Sequence, residues 1–443
     1  MRERLAWLMR RAGAGTVARN SGVLLLAAVL GQGAQLALLI FVGRLLDSEG
    51  LGQLTLALAL TAITVRATTL GVPDILRREI AGKRDEAGNY VEIALGIYGM
   101  RATANVLVAV IAMLVIGYSG QTQAIIAIIL ASTVFRGLAE DYQRSFQGVE
   151  RMEMQLWGTI ILRSLNAGLG LFAAIYLKSI TGVAISYLIG EAARAIYLYI
   201  RGVQVFGAVR PRWNWPVARA ILLEGLPLGI AAGFAILSVH ADSVILSIYA
   251  TESEVGVYNS AYRLIAGAGL LCQAFLAAAF PRIAGAYYSN PKRLVSLYSR
   301  TVSVVVVLGL AIALGGTLLG PAVIVLLYGA DFAAAGLDLQ ILCWAVPLWF
   351  LAQASGITCT AIHKQIVNMW AGGLTAACNI GLNLWLIPAL SHTGAAWAKV
   401  GTYTVSALAL SIPAAIFVRR LAAQEDKVED AVGEALRQSP DEE

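Results

Sequence analysis

Long apolar segments recur along the whole chain and constrain its fold more than any other feature of the sequence. Each is about 20 residues long, the length at which an α-helix crosses the hydrocarbon core of a bilayer. Because backbone N–H and C=O groups in lipid must be satisfied within the protein, we interpret every segment as a helix. Twelve spans fit the hydropathy, at residues 20–42, 51–72, 91–116, 124–143, 156–177, 180–200, 224–249, 257–280, 301–320, 338–361, 366–387 and 395–418.

The composition rules out a soluble protein. Of the 443 residues, 58% are apolar and only 14% are charged, whereas an average soluble domain has about 25% charged residues. The mean hydropathy is +0.72. So few charges cannot cover the surface of a soluble core of this size, which excludes a soluble globular enzyme and a disordered chain. The sequence therefore predicts an all-α integral membrane protein.

The distribution of lysine and arginine predicts the orientation of the spans. If the N-terminus lies inside, the outer loops carry only Arg44 and Lys178 of the 33 basic residues. Inner loops are the basic ones in membrane proteins, so we expect a multi-pass protein of the inner (plasma) membrane with both termini in the cytoplasm. Its basic loops would contact anionic headgroups of membrane lipids. No basic domain stands apart from the membrane, and nucleic acid is therefore not an expected partner.

The two halves of the chain look related. Aligning Gly52 with Gly256 places Ser48–Gly52 on Glu252–Gly256 and Arg78 on Arg282. Each half has an even number of spans, so the halves share one orientation, as in transporters built from a parallel repeat. We predict an N-terminal six-helix lobe at 1–200, a cytoplasmic linker at 201–223, a C-terminal six-helix lobe at 224–418, and a cytoplasmic polar tail at 419–443 that is disordered at its end.

Sequence motifs of enzymes are missing. The chain has no P-loop, no Gly-x-Ser-x-Gly, no His-Glu-x-x-His and no extramembrane segment large enough for a catalytic fold. Its four cysteines lie inside apolar runs without metal spacing, and its three histidines show no zinc pattern. We therefore expect no enzyme activity, no cofactor and no metal site.

Charged side chains inside the spans are the candidate functional residues, because a charge in lipid is costly and usually faces protein or a water-filled cavity. Arg66, Arg101 and Arg163 have no acidic residue within one turn of their own helices. At 1.5 Å per residue they lie about 9, 15 and 10 Å from the inner ends of their spans. We predict that these three arginines, and after them Arg136, line a cationic cavity that binds an anionic part of the substrate, since arginine suits phosphate.

Structural pairing is the alternative for these arginines. Arg136 and Glu140 are four residues apart, and Glu191 and Arg194 are three apart, so each pair could neutralise itself on one helix face. The remaining arginines could pair between helices with Glu140, Asp141 or Glu191.

Two charges in the second half, Asp242 and Arg263, lie at similar depths in adjacent antiparallel spans. We predict that they govern gating or coupling. They could pair directly, or Asp242 and the nearby His240 could bind a coupling proton or cation. Close helix packing is the predicted role of three glycines spaced four apart on the seventh span, namely Gly225, Gly229 and Gly233.

Motifs spread over residues 20–415 give the chain a family resemblance. They are Val42–Gly52, Leu70–Gly71, Arg77–Ile80, Pro227, Asp242, Val255–Ala261, Leu327–Phe332 and Gly394–Ala396. In order and spacing they resemble the polysaccharide (Wzx-type) flippases of the multidrug/oligosaccharidyl-lipid/polysaccharide (MOP) exporter superfamily. The resemblance implies two six-helix lobes around a central cavity, alternating access, and a transporter that flips a polyprenyl-pyrophosphate-linked oligosaccharide for cell-surface polysaccharide synthesis. It also implies polysaccharide-synthesis enzymes as candidate partners.

Two other functions stay open at this point. One is a cation-coupled multidrug or organic-ion exporter of the same superfamily. The acidic residue that such relatives often carry in the first span is missing here, where Gln32 and Gln35 stand instead, and the excess of arginine also argues against it. The other is a non-transporting membrane scaffold for envelope synthesis.

Overall fold

The computed structural model describes residues 2–118, 120–289 and 291–438, and side chains within 31–118, 120–289 and 292–424. Every regular element in these ranges is helical, so the predicted all-α class is confirmed. The helices are α1 (Arg2–Thr69), α2 (Val72–Gly82), α3 (Ala87–Ile116), α4 (Gly120–Gly148), α5 (Met152–Phe172), α6 (Ile180–Phe206), α7 (Trp215–Tyr249), α8 (Glu252–Ser289), α9 (Pro291–Tyr328), α10 (Ala335–Ala361) and α11 (Gln365–Gln438). Short 3₁₀ or π turns occur at Arg84–Glu86, Ala173–Leu177 and Ala330–Phe332.

Ten helical stretches of the described chain are long and apolar enough to cross a membrane. Two of them are interrupted, α1 at Leu46 and Asp47 and α11 at Ser391. Asp47 has a positive φ of 60°, and its carboxylate accepts a hydrogen bond of 3.0 Å from the backbone N–H of Gly50, as a cap does at a helix start. The predicted count of twelve takes each interrupted helix as two spans, and it stays a prediction.

The chain divides into two compact units. Unit 1 comprises residues 1–260 and 327–332, and unit 2 comprises 261–326 and 333–443. Unit 1 therefore contains α7, which the sequence assigned to the second lobe, and the lobes at 1–200 and 224–418 stay a prediction. The non-helical part of the predicted linker is short, because α6 ends at Phe206 and α7 begins at Trp215. The end of the predicted tail, 439–443, lies outside the described residues.

Glycine contacts explain why α7 belongs to unit 1. A Cβ atom on Gly225 would lie 2.4 Å from the carbonyl oxygen of Leu70, and one on Gly71 would lie 2.3 Å from the carbonyl oxygen of Gly225. A Cβ on Gly229 would come within 2.8 Å of the Leu70 backbone. The α7 backbone thus touches the junction of α1 and α2, as the glycine stripe predicted. The stripe ends before Gly233, where a Cβ would meet no described atom within 4 Å.

A second backbone contact joins residues that the repeat alignment makes equivalent. A Cβ on Gly52 would lie 1.7 Å from the carbonyl oxygen of Glu252, and a Cβ on Gly256 would lie 1.9 Å from the carbonyl oxygen of Ser48. The alignment equates Gly52 with Gly256 and Ser48 with Glu252. The contact between α1 and α8 is therefore symmetric, because each glycine meets the carbonyl oxygen of the residue equivalent to the other's partner. The hydroxyls of Ser48 and Ser253 are 2.6 Å apart beside it.

The glycines of α7 provide a test of this packing within one helix. We expect Gly225→Ala to lower the free energy of unfolding by about 1–3 kcal/mol, the usual cost of overpacking, because its methyl group would meet backbone that cannot move aside. Gly233→Ala is the matched control, and it should be neutral or stabilising by up to about 1 kcal/mol through helix propensity. Thermal unfolding in detergent measures both, and equal effects at the two positions would contradict the contact.

Candidate substrate-binding site

The helices that carry the charged residues of unit 1 pack closely around α6. This helix contacts both α4 and α5. A Cβ on Gly202 would lie 2.3 Å from the ring of Tyr142 on α4, and one on Gly190 would lie 2.1 Å from the side-chain amide of Asn166 on α5. Small residues on α6 therefore allow the close approach that brings arginines from three helices together.

One buried carboxylate is shared by two arginines. Glu191 on α6 lies 3.3 Å from the Nε atom of Arg136 on α4 and 3.1 Å from an Nη atom of Arg194 on α6. Arg194 also donates a hydrogen bond of 2.5 Å to the amide oxygen of Gln143. The side chain of Arg136 remains 36% exposed beside this carboxylate.

Arg163 on α5 joins this group without a carboxylate of its own. It interacts electrostatically with Arg136, Arg194 and Glu191. Its guanidinium donates a hydrogen bond to the amide oxygen of Gln35 on α1, and among the described side chains none forms an ion pair with it. Its Nε atom is buried and has no described hydrogen-bond partner.

We call Arg136, Arg163 and Arg194 the arginine cluster. Its charge exceeds that of the nearby carboxylates. Glu140 acts electrostatically on Arg136. Among the described side chains, Glu140 and Glu191 thus supply two negative charges against the three positive charges of the cluster. The orientation of Arg163 is fixed by a chain of neutral groups, because Gln35 in turn donates a hydrogen bond of 2.5 Å to the hydroxyl of Tyr187.

Arg101 is neutralised by a neighbouring helix instead. It is 7% exposed and forms an ion pair with Asp141 on α4, which is 2% exposed. Interhelical pairing, the alternative left open by the sequence, therefore holds for Arg101. A cavity of about 30 Å³ lies beside this pair, which is large enough to hold ordered water.

The structure places Arg66 on the last turn of α1, where it is half-buried. The described part of the chain gives it no ion pair and no hydrogen bond. Of the four arginines predicted for one cavity, Arg136 and Arg163 thus lie together and Arg101 forms a separate pair. The role of all four in binding substrate stays a prediction.

Asp242 and Arg263 belong to different units. Asp242 is fully buried and accepts a hydrogen bond of 2.7 Å from the hydroxyl of Tyr258, so its carboxylate has a fixed position on α7. The Nε atom of Arg263 is buried and has no described hydrogen-bond partner. Direct pairing of the two, and their role in gating or coupling, stay predictions.

Some of the neutral polar residues at the cluster were missed by the sequence reasoning, which considered charges first. Gln143 and Tyr187 hold the cluster together, and Gln35 was noted only as the residue in place of an acid. A signal was present in the sequence, because a glutamine inside an apolar span needs a partner just as a charge does.

Comparison with known proteins places the chain in a family. Residues 17–286, more than half of its length, match the sequence family described as "Polysaccharide biosynthesis protein".

The chain belongs to this polysaccharide biosynthesis protein family. One relative of the chain is the "Probable low-salt glycan biosynthesis flippase Agl15" of Haloferax volcanii. It is 22% identical over 401 residues, which cover 88% of this chain and 82% of Agl15. The expected resemblance to polysaccharide flippases of the MOP superfamily is confirmed.

Solved structures share the fold of this family member. An inward-facing multidrug resistance MATE family transporter of the MOP superfamily has a TM-score of 0.74 at 17% identity, covering 88% of this chain and 94% of that protein. The lipid II flippase MurJ, in an inward closed conformation, has a TM-score of 0.72 at 13% identity, covering 94% and 93%. The chain is thus a multi-pass membrane protein with a MOP fold.

A double-mutant cycle tests whether Arg101 serves structure alone. Breaking a buried ion pair on one side typically costs about 3–5 kcal/mol, whereas replacing both partners by apolar groups is often neutral. We expect Arg101→Met or Asp141→Leu to destabilise the protein, and the double variant to recover most of the loss together with wild-type glycan export.

Arg84→Met is the control for this cycle, because it removes the arginine of the exposed Arg84–Glu150 pair. It should change stability by less than about 1 kcal/mol. A stable double variant that has lost export would show that Arg101 contacts the substrate.

Proposed function

We propose that this protein flips a polyprenyl-pyrophosphate-linked oligosaccharide across the inner membrane, from the cytoplasmic to the outer leaflet, for cell-surface polysaccharide synthesis. Both termini would lie in the cytoplasm. The observation that carries the proposal is the excess positive charge of the arginine cluster, in which Arg136 and Arg194 share Glu191 while Arg163 is held by Gln35.

The cluster has the chemistry that a pyrophosphate requires. A guanidinium carries several N–H donors in one plane and can bind phosphate oxygens through two hydrogen bonds at once. An uncompensated cation inside a membrane protein is costly unless water or an anion satisfies it. A substrate phosphate would supply the missing negative charge. A cationic drug would be repelled by the same cluster, so the multidrug alternative is disfavoured.

The lobes predicted at 1–200 and 224–418 would alternate between closing the outer and the inner side. The contact of Gly52 and Gly256 suits an outer closure, because two backbones that meet without side chains between them can separate and rejoin without repacking. Release of the glycolipid to the outer leaflet would require this contact to open.

Binding of undecaprenyl pyrophosphate to the purified protein tests the anion site. We expect Arg163→Gln to weaken binding about tenfold or more, which corresponds to the loss of one strong charge-assisted hydrogen bond. Arg163→Lys should recover part of the binding, since lysine keeps the charge but lacks the planar pair of N–H donors. Native mass spectrometry in detergent provides the measurement.

Arg201→Gln is the matched control for this substitution, because Arg201 is exposed and also donates to a glutamine, Gln204, at 2.9 Å. It should leave binding unchanged. If Arg163→Gln binds the lipid with wild-type affinity, the assignment of Arg163 to the anion site is wrong. A protein that binds no polyprenyl pyrophosphate at all would favour the scaffold alternative.

A cross-link tests the outer closure. The hydroxyls of Ser48 and Ser253 are 2.6 Å apart, so Ser48→Cys with Ser253→Cys, in a chain whose four native cysteines are replaced, should form a disulfide under oxidation. We expect oxidation to stop transport into the outer leaflet of proteoliposomes and reduction to restore it. Ser48→Cys alone is the control. Full transport with the cross-link complete would mean that this contact never opens.

A further inference from the structure

Unit 2 contains a cavity of 450 Å³ between α8, α10 and α11. Binding pockets for small molecules typically measure about 300–1,000 Å³. Its polar lining consists of three amides and a hydroxyl, from Gln273, Gln353, Asn368 and Thr360, and the rest of the lining is apolar. None of the described residues that line it is charged, so its chemistry differs from that of the arginine cluster.

Asn368 is held in one orientation at this cavity. Its amide nitrogen donates to the backbone oxygen of Gly356 at 3.0 Å and to the hydroxyl of Thr360 at 2.9 Å. The hydroxyl of Thr360 donates in turn to the same Gly356 oxygen at 3.0 Å. Because both hydrogens of the amide point into this network, the amide oxygen is left as the acceptor.

The acceptor lies beside space that a glycine keeps free. The amide oxygen of Asn368 is buried and has no hydrogen-bond partner among the described residues. A Cβ on Gly356 would lie 3.5 Å from this oxygen and 3.7 Å from Leu410. A buried acceptor without a donor is unfavourable, and a bound group that brings a hydroxyl or amide N–H would satisfy it.

We propose that this cavity binds a sugar ring of the lipid-linked glycan. The assignment rests on the proposed function and adds the glycan as a recognised part of the substrate. A sugar ring offers hydroxyl donors and acceptors for the amides of Asn368, Gln273 and Gln353, and it offers C–H faces for the apolar part of the lining. Because its described lining is neutral, this cavity does not suit the pyrophosphate, and the assignment concerns the glycan alone.

Two lipids distinguish the sugar from the pyrophosphate. The probes are undecaprenyl pyrophosphate and undecaprenyl-pyrophosphoryl-N-acetylglucosamine, and their binding to the full-length protein in detergent is measured by native mass spectrometry. We expect the wild type to bind the glycosylated lipid about tenfold more tightly, which corresponds to about 1.4 kcal/mol.

Gly356→Leu fills the space beside Asn368 and should abolish this difference while leaving binding of the bare lipid unchanged. Gly372→Leu is the matched control on α11, because a Cβ there would meet no described atom within 4 Å, and it should keep the difference. If Gly356→Leu fails to bind either lipid, Asn368→Leu, which removes the acceptor without adding a large volume, decides in its place.

The outcomes separate the two proposals. The sugar assignment would be overturned if Gly356→Leu still binds the glycosylated lipid tenfold more tightly than the bare lipid, or if the wild type binds both lipids equally. Either result would leave the flippase proposal intact. Weaker binding of the bare lipid in a folded Gly356→Leu would mean that the cavity holds the polyprenyl chain, and the sugar assignment would be wrong. A wild type that binds neither lipid would overturn the proposed function and, with it, this assignment.

Discussion

The cost of placing a guanidinium inside a membrane-crossing helix governs the arrangement of unit 1. Each arginine there must be satisfied by protein, water or ligand, and the chain uses three different solutions. Arg101 has a buried carboxylate to itself, Asp141. Arg136 and Arg194 share Glu191. Among the described side chains, Arg163 has only the amide oxygen of Gln35 as a hydrogen-bond acceptor. Arg101 is thus fully neutralised by a carboxylate, and Arg163 is not neutralised by one. The uncompensated positive charge is therefore concentrated at the arginine cluster.

Contacts between backbones hold this charged region in place. In lipid there is little hydrophobic gain from bringing two helices together, so close packing through small residues becomes the main attraction. Gly225 and Gly229 bring α7 onto the end of α1, and Gly52 and Gly256 bring the start of α8 onto the second part of α1. These contacts tie residues from both halves of the sequence into unit 1.

Patterns local to a single helix could be predicted from the sequence, and contacts between helices could not. The apolar runs located the helices, the glycine spacing of α7 indicated its packed face, and charges within spans identified Arg136 and Arg163. The pairing of Arg101 with Asp141 was only one of several open choices, because it joins α3 to α4 and depends on their relative rotation. The repeat alignment equated Gly52 with Gly256, but equivalence in sequence does not say that two residues touch. The neutral cavity near Asn368 could not be located from the sequence, since its polar residues are spread over three helices.

The partner of Arg163 explains how an anion site can be both occupied and exchangeable. Asp141 is a carboxylate partner of Arg101. Such a partner carries a full negative charge, and it therefore competes strongly with a phosphate for the guanidinium. An amide oxygen competes only as a neutral acceptor, and hydrogen bonds to a charged acceptor are roughly twice as strong. If Arg163 binds the substrate as proposed, a phosphate would displace Gln35 from it, and Gln35 would return when the phosphate leaves. The hydrogen bond that Gln35 donates to Tyr187 would hold the amide beside Arg163 during this exchange.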